Sequence, residues 1–294
     1  MIKSVLLFPG FKTKALTFSF DDGIDSDIET LELLKKYDIK ATFNLCSGHM
    51  TYVNDNDVRR PDQLCMPLSR NRAKQLFTDP HAEVASHGQF HPDYCHIAPS
   101  NALFDMIKDR RELEELFGFL VRGHAYPYGS YSDEVAELLR LSGFAYARTV
   151  NSSYSFALPR EDEWLKWRPS CHFLERMNLE RLTEEFTSCD NPNDDGWLFY
   201  IWGHTYEFRE MPNGFKKFEE LLSRVAFRQD TWYATNMEIC EYVKAFRSLI
   251  YSADGNTAYN PTHTDIYISA DSNQVLVPAG ATKKLKQYET ISVK

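Results

Sequence analysis

Several features that mark specialised proteins are missing or scarce in this sequence. Its six cysteines, Cys46, Cys65, Cys95, Cys171, Cys189 and Cys240, stand far apart with no CxxC pair. That argues against a structural zinc site and against a small disulfide scaffold, and leaves reduced thiols as the expectation. No apolar stretch is long enough to span a bilayer, and the run Val5–Phe8 is too short for a signal-peptide core. A cytoplasmic protein without a membrane span is therefore expected. Positive charge is in deficit, with 33 Lys and Arg against 42 Asp and Glu for a net charge of −9. The basic residues are scattered, so the electrostatic footprint of a nucleic-acid or anionic-membrane binder is absent and a neutral or cationic substrate is expected. No repeat, low-complexity tract or flexible linker interrupts the chain, and nothing in it specifies an oligomeric state.

What is present is core-forming residues: 43% of the 294 residues are hydrophobic and 14% aromatic, enough for one large core. Short β-branched and aromatic runs alternate with helical patterns. ALTFSF (15–20), KATFNL (40–45), AEVAS (82–86), FAYAR (144–148) and WLFYIW (197–202) read as strands. Helical periodicity runs through Asp27–Tyr37, Ser69–Phe77, Asn101–Phe119, Ser132–Leu141, Leu179–Thr187, Gly214–Phe227 and Met237–Ile250. Asp25 or Ser26 opens the first helix; Ser132 opens another, which Gly143 stops. The alternation signals a parallel sheet, and about seven βα units suggest an α/β barrel or an incomplete one. After Ile250 the character changes: DIYIS (265–269), a DSN turn and VLV (275–277) read as a hairpin. The expected organisation is a barrel over residues 1–254 and a β-rich extension over 255–294 packed on it.

The titratable residues collect where strands end. Thr17-Phe18-Ser19-Phe20-Asp21-Asp22-Gly23 places two carboxylates directly after an apolar strand. Neighbouring strand residues point to opposite faces, so both serve one site only if the strand ends there; the pair alone reads equally well as an Asx turn. Glu83-Val84-Ala85-Ser86-His87-Gly88-Gln89-Phe90-His91 leaves a strand with two imidazoles four residues apart. On a helical turn such side chains share a face with Cβ atoms ~6 Å apart, close enough to grip one metal ion. Pro92 disfavours helix at His91, so any such turn must be short. Ala125-Tyr126-Pro127-Tyr128-Gly129 and Trp197-Leu198-Phe199-Tyr200-Ile201-Trp202-Gly203-His204 are further strand ends. In parallel α/β barrels catalytic groups gather at the carboxyl ends of strands. Asp21, Asp22, His87, His91 and His204 share that placement.

TFSFDDG, SHGQFH, AYPYG and IWGH, in this order over residues 17–204, resemble the successive motifs of the polysaccharide deacetylase (NodB-like, carbohydrate esterase family 4) family. The resemblance implies a distorted (β/α)7 TIM-like barrel with one divalent metal, zinc first, with cobalt, nickel or iron also suited to the ligands. It implies hydrolysis of acetyl groups from an N-acetylated sugar or oligosaccharide. By position, Asp22, His87 and His91 would be the metal ligands, Asp21 the general base and His204 the general acid, with the Tyr128 N–H sharing the oxyanion. Two His and one carboxylate leave open positions for water and substrate, as a hydrolytic metal site requires. Tyr126, Trp202, Tyr128 and Phe20 are aromatics able to stack on a sugar ring.

Two motifs depart from the family pattern. The third usually begins with Arg, which orients the base, and here the position is Ala125, with Arg122 and His124 nearby. Arg168 or His172, in Trp164-Leu165-Lys166-Trp167-Arg168-Pro169-Ser170-Cys171-His172, is the expected replacement and substrate contact. The fourth, an acidic motif ending in Trp, has only loose echoes in Asp194-Asp195-Gly196-Trp197 and Glu161-Asp162-Glu163-Trp164. Competing readings are an O-acetyl esterase or small-amide hydrolase on the same barrel, and a carbohydrate-binding relative weakened by the loss at Ala125. His49, His81, His96, His124 and His263 are expected to be structural or solvated.

Overall fold

The computed structural model describes residues 4–190, 192 and 196–285. In chain order its elements are β1 (Ser4–Leu7), β2 (Lys14–Asp22), α1 (Asp27–Lys36), β3 (Ala41–Leu45), α2 (Arg70–Phe77), β4 (Ala82–Ser86), α3 (Pro99–Phe117), β5 (Gly123–Ala125), α4 (Asp133–Leu141), β6 (Tyr146–Arg148), β7 (Cys171–His172), α5 (Arg176–Ser188), β8 (Trp197–Gly203), α6 (Glu207–Glu210), α7 (Gly214–Val225), β9 (Thr231–Tyr233) and α8 (Asn236–Arg247). Five short strands follow: β10 (Ile250–Tyr251), β11 (Thr257–Tyr259), β12 (Ile266–Ala270), β13 (Asn273–Val277) and β14 (Thr282–Lys284).

The main sheet is parallel in the order β6-β5-β4-β3-β2-β8-β7, the arrangement of a distorted (β/α)7 barrel. Its two edges approach through the segment before β7. Trp167 N–H donates to the Ala147 carbonyl at 2.8 Å, and Thr149 N–H donates to the Trp167 carbonyl at 2.9 Å. One distortion lies at β2, where β3 pairs with Phe18–Asp22 while β9 pairs with Lys14–Leu16. Another is β1, which joins β12 and β13 in a separate antiparallel sheet. Both β9 and β1 are too short to stand out in the sequence pattern.

The strict alternation of ALTFSFD decides what faces what. Leu16, Phe18 and Phe20 project into the layer between sheet and helices, where Phe20 packs edge-on to Phe208 and Phe218 at ring distances of 6.0 and 5.8 Å. Phe20 is only 1% exposed, so it is core and is unavailable to a sugar. Thr17, Ser19 and Asp21 form the opposite row, which looks into the barrel. Thr17 Oγ1 donates to Asn236 Oδ1, and Asn44 Nδ2 donates to both Ser19 Oγ and Asp21 Oδ1 at 2.8 Å. The barrel interior is thus polar near β2, and Asp21 is the last residue of that polar row.

Candidate metal and catalytic site

A cavity of about 740 Å³ opens at the carboxyl ends of the strands, lined by Asp21, Asp22, His87, His91, His204 and Tyr128 among others. Both carboxylates reach it because the strand breaks its own alternation. Asp22 has φ 84, a left-handed conformation uncommon outside glycine and best tolerated by Asp and Asn. That rotation turns the Asp22 carboxylate back towards the side Asp21 already faces.

The two motif histidines meet without a helix. Gly88 (φ 76) and His91 (φ 54) are both left-handed, folding residues 87–91 into an irregular turn. A Cβ on Gly88 would fall 2.7 Å from both Pro92 Cδ and the Tyr94 hydroxyl, so this turn needs glycine. The i,i+4 spacing therefore works through a turn and not through a helical face. The rings lie 4.7 Å apart. His87 Nδ1 lies 2.8 Å from the Ala125 carbonyl, which places the ring proton on Nδ1 and leaves the Nε2 lone pair directed into the site. His87 Nε2 is 3.8 Å and His91 Nε2 4.0 Å from Asp22 Oδ1.

These residues suit a divalent cation. Ligand atoms of Asp22, His87 and His91 all lie within 4.8 Å of one another, and His87 Nε2 is buried with no hydrogen-bond partner among the described residues. Burial pushes His87 down to about 3 against the opposing pull of Asp21. Burial also lowers His91, so both imidazoles present free lone pairs. Burial raises Asp22 to about 6, a bias that a cation at these three residues would reverse.

The base position has an arginine that the sequence reading missed. Arg148, the last residue of β6 and 0% exposed, donates through one terminal nitrogen to Asp21 Oδ1 at 2.6 Å and also to Oδ2. Burial would raise the Asp21 carboxyl. The Arg148 charge, aided by His87 and His204, overrides this and holds it well below the usual carboxylate range. The guanidinium also lies over the Trp202 ring, 4.2 Å from its centre. Ala125 and Arg148 are opposite each other in the β5–β6 ladder, so a guanidinium reaches Asp21 from the strand next to the one that carries Ala125. Arg168 is not the expected replacement. It is exposed and donates to the Asn151 and Ser152 carbonyls.

His172 also stands away from the base, with Nε2 3.2 Å from Glu207 Oε1. Glu207 in turn holds His204, whose Nδ1 is 3.0 Å from the same oxygen and whose Nε2 is 3.9 Å from Asp21 Oδ2. Burial works to lower His204, but the Glu207 bond and the Asp21 and Asp22 charges reverse the direction and raise it. Burial likewise opposes ionisation of Glu207, yet the His172 and His204 bonds bring it down to about 2. Glu207 is an acidic partner of His204 that the sequence reading missed. His204-Thr205-Tyr206-Glu207 carried that signal as an i,i+3 pair. Of the loose echoes, Glu161–Glu163 open a short 3-10 helix, Glu161–Lys166, that carries buried Trp164, and Asp194 and Asp195 lie outside the described residues.

The aromatics divide by exposure. Tyr126 lines the cavity but is 1% exposed, with its hydroxyl bonded to the Leu165 carbonyl, which leaves little of its ring for stacking. Trp202 is 7% exposed, pressed between Arg148 and His172. Tyr128 is 69% exposed, left-handed at φ 57, and its ring sits 4.3 Å from that of His91. His49 lines the cavity. His124 is buried beside Ser86, its Nδ1 3.1 Å from the hydroxyl, and Arg122 pairs with Glu241.

Residues 9–147 match the sequence model of the polysaccharide deacetylase family. No curated protein matches the chain. The fold is that of a candidate polysaccharide deacetylase from Mycobacterium smegmatis, with TM-score 0.59 and 15% identity over 84% of this chain and 96% of that one. It is also that of a mutant of a carbohydrate esterase family 4 pseudoenzyme with restored activity, with TM-score 0.50 and 17% identity over 79% of this chain and 69% of that one. A Streptococcus pyogenes deacetylase in complex with acetate is 23% identical over 46% of this chain, with TM-score 0.39; the matched part spans 55% of that protein. Among the described residues, no helix is long and apolar enough to cross a membrane.

Proposed function

Starting from the polysaccharide deacetylase family of residues 9–147, we propose that this chain is a metal-dependent hydrolase that removes acetyl groups from an N-acetylated carbohydrate. The observation that carries the reading is the convergence of Asp22, His87 and His91 with Asp21 and His204 on one cavity. A divalent ion held by Asp22, His87 and His91, zinc first, supplies acidified water and a polarised acyl carbonyl when bound. Asp21 accepts the proton of the attacking water, and Arg148 keeps it ionised for that task. His204, held by Glu207, delivers a proton to the leaving atom. The Tyr128 N–H is assigned to the oxyanion, and the exposed Tyr128 ring offers a stacking face for a sugar.

The same machinery would serve an O-acetyl ester or a small amide. A carbohydrate-binding relative without turnover was suggested by Ala125 alone, and Arg148 at the base removes that support. Metal content and acetate release from N-acetylglucosamine oligomers, measured on the parent beside Asp22→Ala and His87→Ala, test the proposal. Stoichiometric metal lost in both variants, with acetate released by the parent alone, is the expected result. No metal under replete conditions would sink it. Metal without acetate, when O-acetylated sugars are cleaved instead, would move the reading to the esterase.

A further inference from the structure

The turn that carries His87 and His91 bends around a carboxylate supplied by another element. Asp105, near the start of α3, accepts the Gln89 backbone N–H at 3.0 Å and the Tyr94 hydroxyl at 2.8 Å, both on Oδ1. A Cβ on Gly88 would lie 3.2 Å from that same oxygen, so the left-handed backbone at Gly88 passes directly over it. One oxygen thus has the turn on three sides. Both donors are uncharged, so any carbonyl-type oxygen at this point would satisfy them.

The same face of α3 holds the turn twice more. Asp105, Asp109 and Glu112 follow the i, i+4, i+7 spacing of one helix face. Glu112 Oε1 accepts from the Gln89 side-chain amide at 3.1 Å. Asp109, fully buried, accepts the Ser86 hydroxyl at 2.6 Å on Oδ2 and the Ser47 N–H at 2.9 Å on Oδ1. Ser86 ends β4 and Ser47 lies two residues beyond β3, so α3 fixes the points at which both strands release the chain towards the cavity. None of the three carboxylates lines that cavity. An irregular turn has no repeating bonds of its own, and the left-handed His91, φ 54, persists only where its surroundings over-determine it.

We infer that Asp105 is a positioning residue for the metal centre, its Oδ1 setting the bend that brings the His87 and His91 imidazoles to one cation, by reach and not by charge. The inference rests on the metal-dependent reading above. Support of the fold alone is the competing use of this carboxylate, and metal affinity separates the two. A preformed pair of ligands binds an ion more tightly than a pair that must first be ordered.

The test measures zinc binding by chelator competition on folded protein, so that neither turnover nor the folded fraction enters. Asp105→Ala should weaken zinc ~10–100-fold. Asp105→Asn keeps an acceptor at the same reach and should stay within a few fold of the parent. Asp105→Glu keeps the charge but sets its oxygen a methylene too far, and should lose affinity as Asp105→Ala does. The control is Glu114→Ala. On the same helix, Glu114 accepts from Arg110 Nε at 2.9 Å and Val121 N–H at 3.0 Å, so its loss should lower the urea midpoint and leave zinc affinity unchanged. If Asp105→Ala does not fold, the opposite outcomes expected of Asp105→Asn and Asp105→Glu decide the same question. Parental affinity in Asp105→Ala or Asp105→Glu, or an equal loss in Glu114→Ala, would overturn the inference and leave the hydrolase reading standing. A loss in Asp105→Asn as deep as in Asp105→Ala would overturn it in favour of a charge effect on the ion. A parent that binds no zinc under replete conditions would remove the metal-dependent reading itself, and this inference with it.

Discussion

Strand β2 carries an ion pair with a fully buried cation at each end, and the two sit in different surroundings. At the amino end Lys14 is 0% exposed; its Nζ donates to the Phe186 carbonyl at 2.8 Å, to Asp230 Oδ2 at 2.8 Å and to the Cys189 carbonyl. Every proton there is consumed by fixed acceptors, and the cavity lies at the opposite end of the strand. At the carboxyl end Asp21 meets Arg148 with deeper burial, its side chain 3% exposed against 22% for Asp230, and one side of the carboxylate faces a cavity shared with His87 and His204. A buried ion pair is weak evidence for function or for stability by its nature. Its position along a parallel strand, and whether a cavity adjoins it, distinguish a clamp from a tuned base.

Substitutions at the two ends sharpen that contrast. Arg148→Met strands the Asp21 charge. Loss of a paired buried charge costs about 3–5 kcal/mol of stability, and losing the poised base should lower kcat/KM by ~10²–10⁴-fold; steady-state kinetics and urea unfolding read both. Intact turnover in this variant would make Arg148 a clamp like Lys14. Metal comes next. Zinc at 100 times its dissociation constant should raise the unfolding free energy of the parent by about 2.7 kcal/mol, and His87→Ala should show no such rise by calorimetry.

Lys14→Met should lower stability by about 1–3 kcal/mol, since it leaves carbonyl acceptors unfilled. Its kcat per folded molecule should not change, and a loss of turnover beyond the unfolded fraction would erase the distinction drawn here. A smaller effect concerns pH in the metal-free protein. His204 is raised above its ordinary 6.5, so its interactions contribute stability that is full below that value and is lost as pH rises through the higher folded one. His204→Gln should flatten that slope, read by urea unfolding across pH. Smallest of all, Arg168→Ala should change both stability and kcat/KM by no more than about 0.5 kcal/mol, because its bonds are to exposed loop carbonyls.

How much of this could be read in advance differs between the barrel and the site. The alternation of ALTFSFD, the long helical periods and the order of the four motifs were legible because each depends on residues close together in the chain. The Ser132 cap behaves as read, its hydroxyl accepting from Val135 N–H, and Gly143 ends that helix at φ 80. The small strands β1, β9, β10, β11 and β14 were not anticipated, for a run of two to four residues carries too little period to register. Residues 286–294 of the expected extension lie outside the described residues.

The sequence by itself determined which strand ends carry titratable groups, because period-2 alternation and turn residues act locally and need no partner. It also held Glu207 within sight of His204. Only the tertiary structure decided that Arg148, 127 residues from Asp21 in the chain, pairs with that carboxylate. Strand pairing brings the ends of β5 and β6 to the same height, so a guanidinium from either strand can reach the base. No local pattern records which of the two supplies it.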